Sequence, residues 1–181
     1  MPGKLVHVGL PRTGTMSLAH AMKKLGLVVA RSNVCLYDWP QIDKADAVVD
    51  LAGSTGYQRL DRLYPNSAFI LTTRRDYMAW LTSCAGWWAK AHGPQMPAAD
   101  RWGITHLFGR VDFNAQALLA GRERHEAEVR RYFAGRENLF AIDLADADGY
   151  KWNVLAAAIK AAGWKEPRTP MEAWPHANRS S

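Results

Sequence analysis

The chain has 181 residues, 48% hydrophobic and 22% charged, with a formal net charge of +6 at neutral pH. That length suits one domain over residues 1–181 with a substantial core, and no window reaches the roughly 18 apolar residues that a membrane-spanning helix needs. The N-terminus lacks the apolar stretch of a secretory signal, and Cys35 and Cys84 stand far apart without metal-ligand spacing, so no disulfide scaffold is expected and a reducing cytoplasm is the default.

The basic balance suits a nucleic acid, a membrane surface, a polyanionic small molecule or simply a solvated surface. Lys and Arg are scattered, with no run of five, which argues against nucleic acid.

Val6-His7-Val8-Gly9-Leu10-Pro11-Arg12-Thr13-Gly14-Thr15-Met16-Ser17-Leu18 is a short apolar run, a glycine-bounded turn and a segment with helical spacing. Leu18, Met22 and Leu25 form one stripe, and Gly26 is a plausible stop. Strand, tight loop and helix bring unpaired N–H groups and the positive helix end to one spot, which suits a phosphate. Gly9 and Gly14 have the spacing of a P-loop, but Thr15 stands where an ATP-binding loop has Lys. Arg12 is the only cation of the loop, and Thr13, Thr15 and Ser17 add hydroxyls. Phosphate binding without ATP chemistry is the expectation; the plainer alternative is a turn and helix that bind nothing.

Further along, Leu27 to Ala30 can form a short extended piece, and Val34 to Ala45 is ambiguous because Pro40 breaks a helix that starts there. Ala45 to Leu51 reads as the second strand, Gly53-Ser54-Thr55-Gly56 as a turn, and Tyr57 to Tyr64 as a helix ended by Pro65-Asn66. Ser67 to Thr73 is the clearest strand, followed by Arg74-Arg75 and by Asp76 as N-cap of a helix towards Ala91. After a loop at Pro94 to Pro97, Asp100 to Gly135 is mostly helical, with possible interruptions at Gly109 and Gly121. Asn138 to Leu144 is a strand, Trp152 to Ala162 a helix closed by Gly163, and Pro167 to Ser181 a loop. Alternating strands and helices predict an α/β chain: a central parallel sheet in a three-layer α/β/α arrangement like that of the P-loop NTPases. Ligands of such sheets bind outside the carboxyl ends of the strands. That rule puts the Gly9–Ser17 loop, Asp50 and the Arg74/Arg75 pair on one edge.

Leu10 to Leu18 resembles the 5′-phosphosulfate-binding loop of sulfotransferases. Phe69 to Asp76, continuing through Trp80-Leu81-Thr82-Ser83, resembles their 3′-phosphate-binding strand and helix, with Arg75 and Ser83 at the matching eight-residue spacing. Weaker similarity continues through His125 to Leu144 and the Trp152 helix to Trp174–Asn178. The resemblance implies 3′-phosphoadenosine 5′-phosphosulfate (PAPS) as donor, adenosine 3′,5′-bisphosphate as product, a small-molecule hydroxyl or amine as acceptor, and no metal. By the same resemblance Pro11, Arg12, Thr13, Gly14, Thr15, Met16 and Ser17 hold the 5′-phosphosulfate, and Arg75 and Ser83 the 3′-phosphate. Arg12 is the fixed cation for charge developing on the bridging oxygen.

The chain departs from the family pattern in three ways. Arg12 replaces the Lys of the cytosolic enzymes and cannot give up a proton. Tyr77 stands where a Pro usually follows the 3′ motif, and no glycine- and lysine-rich 3′-phosphate segment lies near the C-terminus. The acceptor's proton needs a base. No His follows the second strand, and Asp50 is the best-placed carboxylate, its plainer role being a strand-end or capping residue. His7, His92, His106 and His125 are weaker candidates, and His125 reads as a packed, hydrogen-bonded core residue. Trp80 and Trp152 read as core, while Trp87 and Trp88 suit either an acceptor pocket or the core. The rival readings are a PAPS- or bisphosphate-binding module without turnover and a P-loop kinase or NTPase. Thr15 in the Lys position argues against the latter.

Overall fold

The computed structural model describes residues 2–31, 39–91, 96–165, 167 and 172–177. Five strands, β1 (Leu5–His7), β2 (Val29–Arg31), β3 (Ala47–Val49), β4 (Ala68–Thr73) and β5 (Leu139–Asp143), form one parallel sheet in the order β2-β3-β1-β4-β5. The helices are α1 (Thr15–Lys24), α2 (Trp39–Lys44), α3 (Leu51–Leu63), α4 (Tyr77–Ala91), α5 (Ala98–Phe108), α6 (Ala115–Tyr132) and α7 (Asp148–Ala161).

Alternation along the strands divides the core. Leu5, Ala68 and Ile70 point to the face covered by α1 and α7, where Leu18, Met22, Trp152 and Ile159 are buried. Val6, Phe69 and Leu71 point to the other face, against Tyr57 and Leu60 of α3 and Val129 of α6. A third cluster, built on Trp80, Cys84 and Trp88 of α4 with Ile104 and Leu107 of α5, meets Leu10 and Leu51 beyond the carboxyl ends of β1 and β3. Three-residue strands gain little from pairing, at about 0.5–1.5 kcal/mol net per hydrogen bond. A buried Leu or Phe contributes about 1.5–3 kcal/mol, so packing of helices on both faces holds the sheet.

The three-layer α/β/α arrangement with its parallel sheet is as expected, and several boundaries differ. Ala45 to Leu51 supplies the third strand rather than the second, because residues 29–31 are a full sheet member. The stretch Gly53 to Gly56 is helix and not turn: α3 starts at Leu51, and a Cβ on Gly53 would lie 2.0 Å from the His7 carbonyl oxygen of β1. Glycine there allows helix and strand backbones to touch, the Ser54 hydroxyl donates across to the Gly9 carbonyl at 2.5 Å, and the Thr55 hydroxyl folds back onto the Leu51 carbonyl. Pro40 sits in the first turn of α2, where its missing N–H costs nothing. Gly109 ends α5 in the left-handed region (φ 77°), whereas Gly121 lies inside α6. A Cβ on Gly121 would come within 2.6 Å of the Leu107 carbonyl oxygen, so it marks close helix contact and no break. Asp76 caps α4 through its Oδ1, which accepts from the Ala79 amide at 2.9 Å. The readings at Val34, Cys35, His92 and Asn178 lie outside the described residues.

Candidate active site at the carboxyl edge of the sheet

One open cavity of about 540 Å³ runs across the carboxyl ends of the strands. Each strand contributes: Arg31 from the end of β2, Asp50 after β3, the Pro11–Ser17 loop after β1, Arg74 and Arg75 after β4, and Asp143 from β5. Arg12 and Arg75, 63 positions apart in sequence, thus line the same cleft.

Two left-handed residues shape the loop, Arg12 (φ 68°) and Gly14 (φ 112°). Gly14 precedes α1, whose Leu18 amide bonds the Gly14 carbonyl at 2.9 Å. The amides before Leu18 lie at the start of a helix and have no acceptor within it. Beside them the Thr15 hydroxyl is buried without a hydrogen-bond partner among the described residues, and Thr15 lines the cavity. A buried hydroxyl with nothing to bond is costly unless a ligand oxygen meets it. Ser17 also lines the cavity, and its Oγ accepts from the Ala177 amide at 3.3 Å, which brings residues 176–177 over the mouth.

Thr13 does not share that position. Its hydroxyl donates to the Leu10 carbonyl (2.6 Å), so it accepts from the Thr72 hydroxyl (2.7 Å). Thr72 in turn accepts from His7 Nε2 (2.8 Å). Every proton of this buried chain is committed, and Thr13, fully buried, offers none to the cavity. The expectation that its hydroxyl meets a phosphate is corrected on this ground. The same chain leaves His7 neutral: burial, with some help from nearby His125, pushes its pKa down to about 3. His125 donates from Nε2 to the Val8 carbonyl at 2.7 Å and is a packed core residue.

Arg12 turns into the cavity, and its Nε donates to Ser83 Oγ of α4 at 2.9 Å. The 3′-motif serine is therefore joined to the loop arginine. The Arg75 side chain is mostly exposed and turned to the β5 edge. Its Nε lies 3.2 Å from Asp143 Oδ1, its terminal nitrogen pairs with Asp146, and its backbone amide donates to Asp143 Oδ2 at 2.8 Å. Its neighbour Arg74 lines the same cavity and makes no ion pair among the described residues. Arg74 is thus the more available cation of the pair. Underneath, Trp80 of α4 is fully buried and donates from Nε1 to the Pro11 carbonyl at 3.0 Å, locking the loop to α4. Trp88 is core, with its Nε1 bonded to the Val111 carbonyl, whereas Trp87 lines the cavity.

Asp50 precedes α3 with φ 75° and ψ −155°, a region almost reserved for glycine that costs about 1–3 kcal/mol. As N-cap of α3 it makes no side-chain cap bond. Burial raises its pKa, against the pull of Arg31, whose Nε lies 3.5 Å from Asp50 Oδ2, and of the Leu51 amide. The sequence reading missed Asp100, in the first turn of α5. It is buried, lines the cavity, and its pKa is raised by burial and by the Asp50 charge. Among the described residues no group of three or more His, Cys, Asp or Glu is arranged to hold a metal ion, and no helix is long and apolar enough to cross a membrane.

The cavity therefore has N–H and O–H donors with Arg12, Arg74 and Arg75 on β1 and β4, where Asp143 pairs with Arg75, and on β3 and α5 the carboxylates Asp50 and Asp100 with Arg31 beside them. This division suits an anionic group and a proton-losing group bound side by side. Comparison with known families gives a match to the sulfotransferase domain over residues 37–181, which includes Asp50, the β4 motif and Asp100 but not the Gly9–Ser17 loop. No curated protein matches the chain. The match spans most of the chain, and the protein belongs to the sulfotransferases, the enzymes that move sulfuryl groups.

Proposed function

We propose that the protein transfers the sulfuryl group of PAPS to a hydroxyl or amine of a small molecule by in-line displacement. The observation that carries this reading is the shared cleft. A helix-start loop with Arg12 and the unpartnered Thr15 hydroxyl faces the same space as Arg74, Arg75 and Ser83. Two anionic ends of one nucleotide need two such donor sets.

The donor, when bound, supplies a sulfuryl group on an activated phosphosulfate. Backbone N–H groups of residues 14–17 and the hydroxyls of Thr15 and Ser17 hold the 5′ end. Arg12, fixed by Ser83, stabilises the charge that builds on the phosphate oxygen as its bond to sulfur breaks. A preorganised donor of this kind is worth about 10²–10³ in rate. Arg75 and Ser83, with Arg74 beside them, receive the 3′-phosphate. Asp50 takes the proton that the acceptor loses as its new bond to sulfur forms, and burial of this carboxylate makes it a better base than a free one.

Calorimetric titration tests the donor assignment. Adenosine 3′,5′-bisphosphate binds without Mg²⁺ and more tightly than ATP or adenosine 5′-monophosphate. Preference for Mg·ATP would overturn the reading in favour of phosphoryl transfer. Turnover of labelled PAPS across an acceptor panel separates an enzyme from a binding module.

A further inference from the structure

The carboxylate side of the cavity carries more charge than sulfuryl transfer to a plain alcohol requires. One base suffices for one proton, yet Asp50 and Asp100 both line the space, and the Asp50 charge adds to what Asp100 needs in a counter-charge. Arg31 is the cation beside them, and its Nε stands against Asp50 Oδ2. When all three are ionised the cluster carries one net negative charge.

A role for Asp100 in holding α5 does not explain it. An acid three residues after the N-cap commonly reaches back to the N-cap amide. Here the N-cap is Pro97, which has no N–H. Asp100 is only 5% exposed, and its Oδ1 has no hydrogen-bond partner among the described residues. Burying an unpaired carboxylate oxygen is expensive, and the residue that carries it lines the cavity. The missing partner is a donor that arrives with a ligand, and a positive one answers both the vacancy and the net charge.

We infer that Asp100 binds a protonated amine on the acceptor, so that the preferred substrates are amino alcohols, aminated phenols or amino sugars sulfated at a neighbouring hydroxyl. The inference rests on the sulfuryl-transfer reading for the identity of the reaction. The ammonium keeps its protons and donates to Asp100. The hydroxyl proton goes to Asp50, the hydroxyl oxygen forms the bond to sulfur, and the nucleotide oxygen leaves towards Arg12. Trp87, on α4 in the same cavity, offers a ring for the organic body of such a molecule.

The test uses matched probes that differ only in the amine: tyramine against ethylphenol, and glucosamine against glucose. Each is titrated into the full chain, alone and with saturating adenosine 3′,5′-bisphosphate. The ammonium member of at least one pair binds the wild-type protein tenfold or more tightly than its neutral twin. In Asp100→Asn that preference falls below twofold while bisphosphate affinity stays unchanged. Equal affinities within both pairs, no binding by any probe, or a preference that survives in Asp100→Asn would overturn the inference. The wild-type comparison stands even where the variant misfolds. Amine preference without bisphosphate binding would support the carboxylate site and count against the donor reading instead.

Discussion

Replacing Arg12 by Gly and by Ala separates catalysis from stability at one position. Both substitutions remove the guanidinium and its bond to Ser83. They differ in backbone cost, because residue 12 sits at φ 68°. A left-handed residue with a Cβ pays about 1–2 kcal/mol, and glycine escapes this at the expense of roughly 0.5–1 kcal/mol of extra unfolded-state entropy. The Gly variant should therefore be more stable than the Ala variant by about 0.5–1 kcal/mol. For a chain of this length each kcal/mol moves Tm by about 2–4 °C, so scanning calorimetry should resolve an upward shift of about 1–4 °C. Turnover of labelled PAPS at saturation should fall equally in both, by about 10²–10³, the usual loss when one preorganised donor is removed. Either variant retaining more than a tenth of wild-type kcat would refute the role of Arg12. Equal Tm values would refute the strain assigned to its backbone.

The two β4 arginines are separable by ligand. Arg74→Ala should weaken adenosine 3′,5′-bisphosphate about tenfold or more, the scale of one charge-assisted hydrogen bond, and leave the 5′-monophosphate nearly unaffected. Arg75→Ala should show the same selectivity with a smaller loss, because its guanidinium is shared with Asp143 and Asp146; equal losses on both ligands in calorimetry would remove either arginine from the 3′ end. Asp50 serves as base only when ionised, so kcat should fall as pH drops through its raised folded pKa. Asp50→Asn should lower kcat by about 10²–10⁴ and abolish that acidic limb; a limb unchanged in the variant assigns it to another group. His7, neutral in the fold with a pKa near 3 against 6.5 when unfolded, binds fewer protons folded than unfolded between those values. Its contribution is complete above 6.5 and is lost as pH falls towards 3. Denaturant midpoints measured across that range should decline steadily, and a flat profile would contradict a buried neutral His7.

Local pattern carried much of the architecture. The stripe Leu18, Met22, the apolar run Phe69 to Leu71 and the cap at Asp76 each declare their element within a few residues. Failures came where a distant partner decides. Gly53 to Gly56 has turn chemistry, and only the carbonyl of His7 across the sheet explains why helix wins. Thr13 reads as a loop hydroxyl equivalent to Thr15 until Thr72, 59 positions on, claims it. Arg75 looks free in sequence and meets Asp143 and Asp146 only through the β4–β5 pairing. Asp100 alone left a local trace. Pro97-Ala98-Ala99-Asp100 opens a helix with an acid whose customary capping partner is absent. Arg31 left none.

The bond from Trp80 to the Pro11 carbonyl gives the anion loop an optical reporter of its own. The indole is sealed from solvent and tied one residue before Arg12, with the Arg122 guanidinium 5.0 Å from its ring. Any settling of the loop onto a guest alters the field across that chromophore, so its emission wavelength follows occupancy without an attached dye. Among the tryptophans, the one to keep in a single-tryptophan version for stopped-flow work is Trp80.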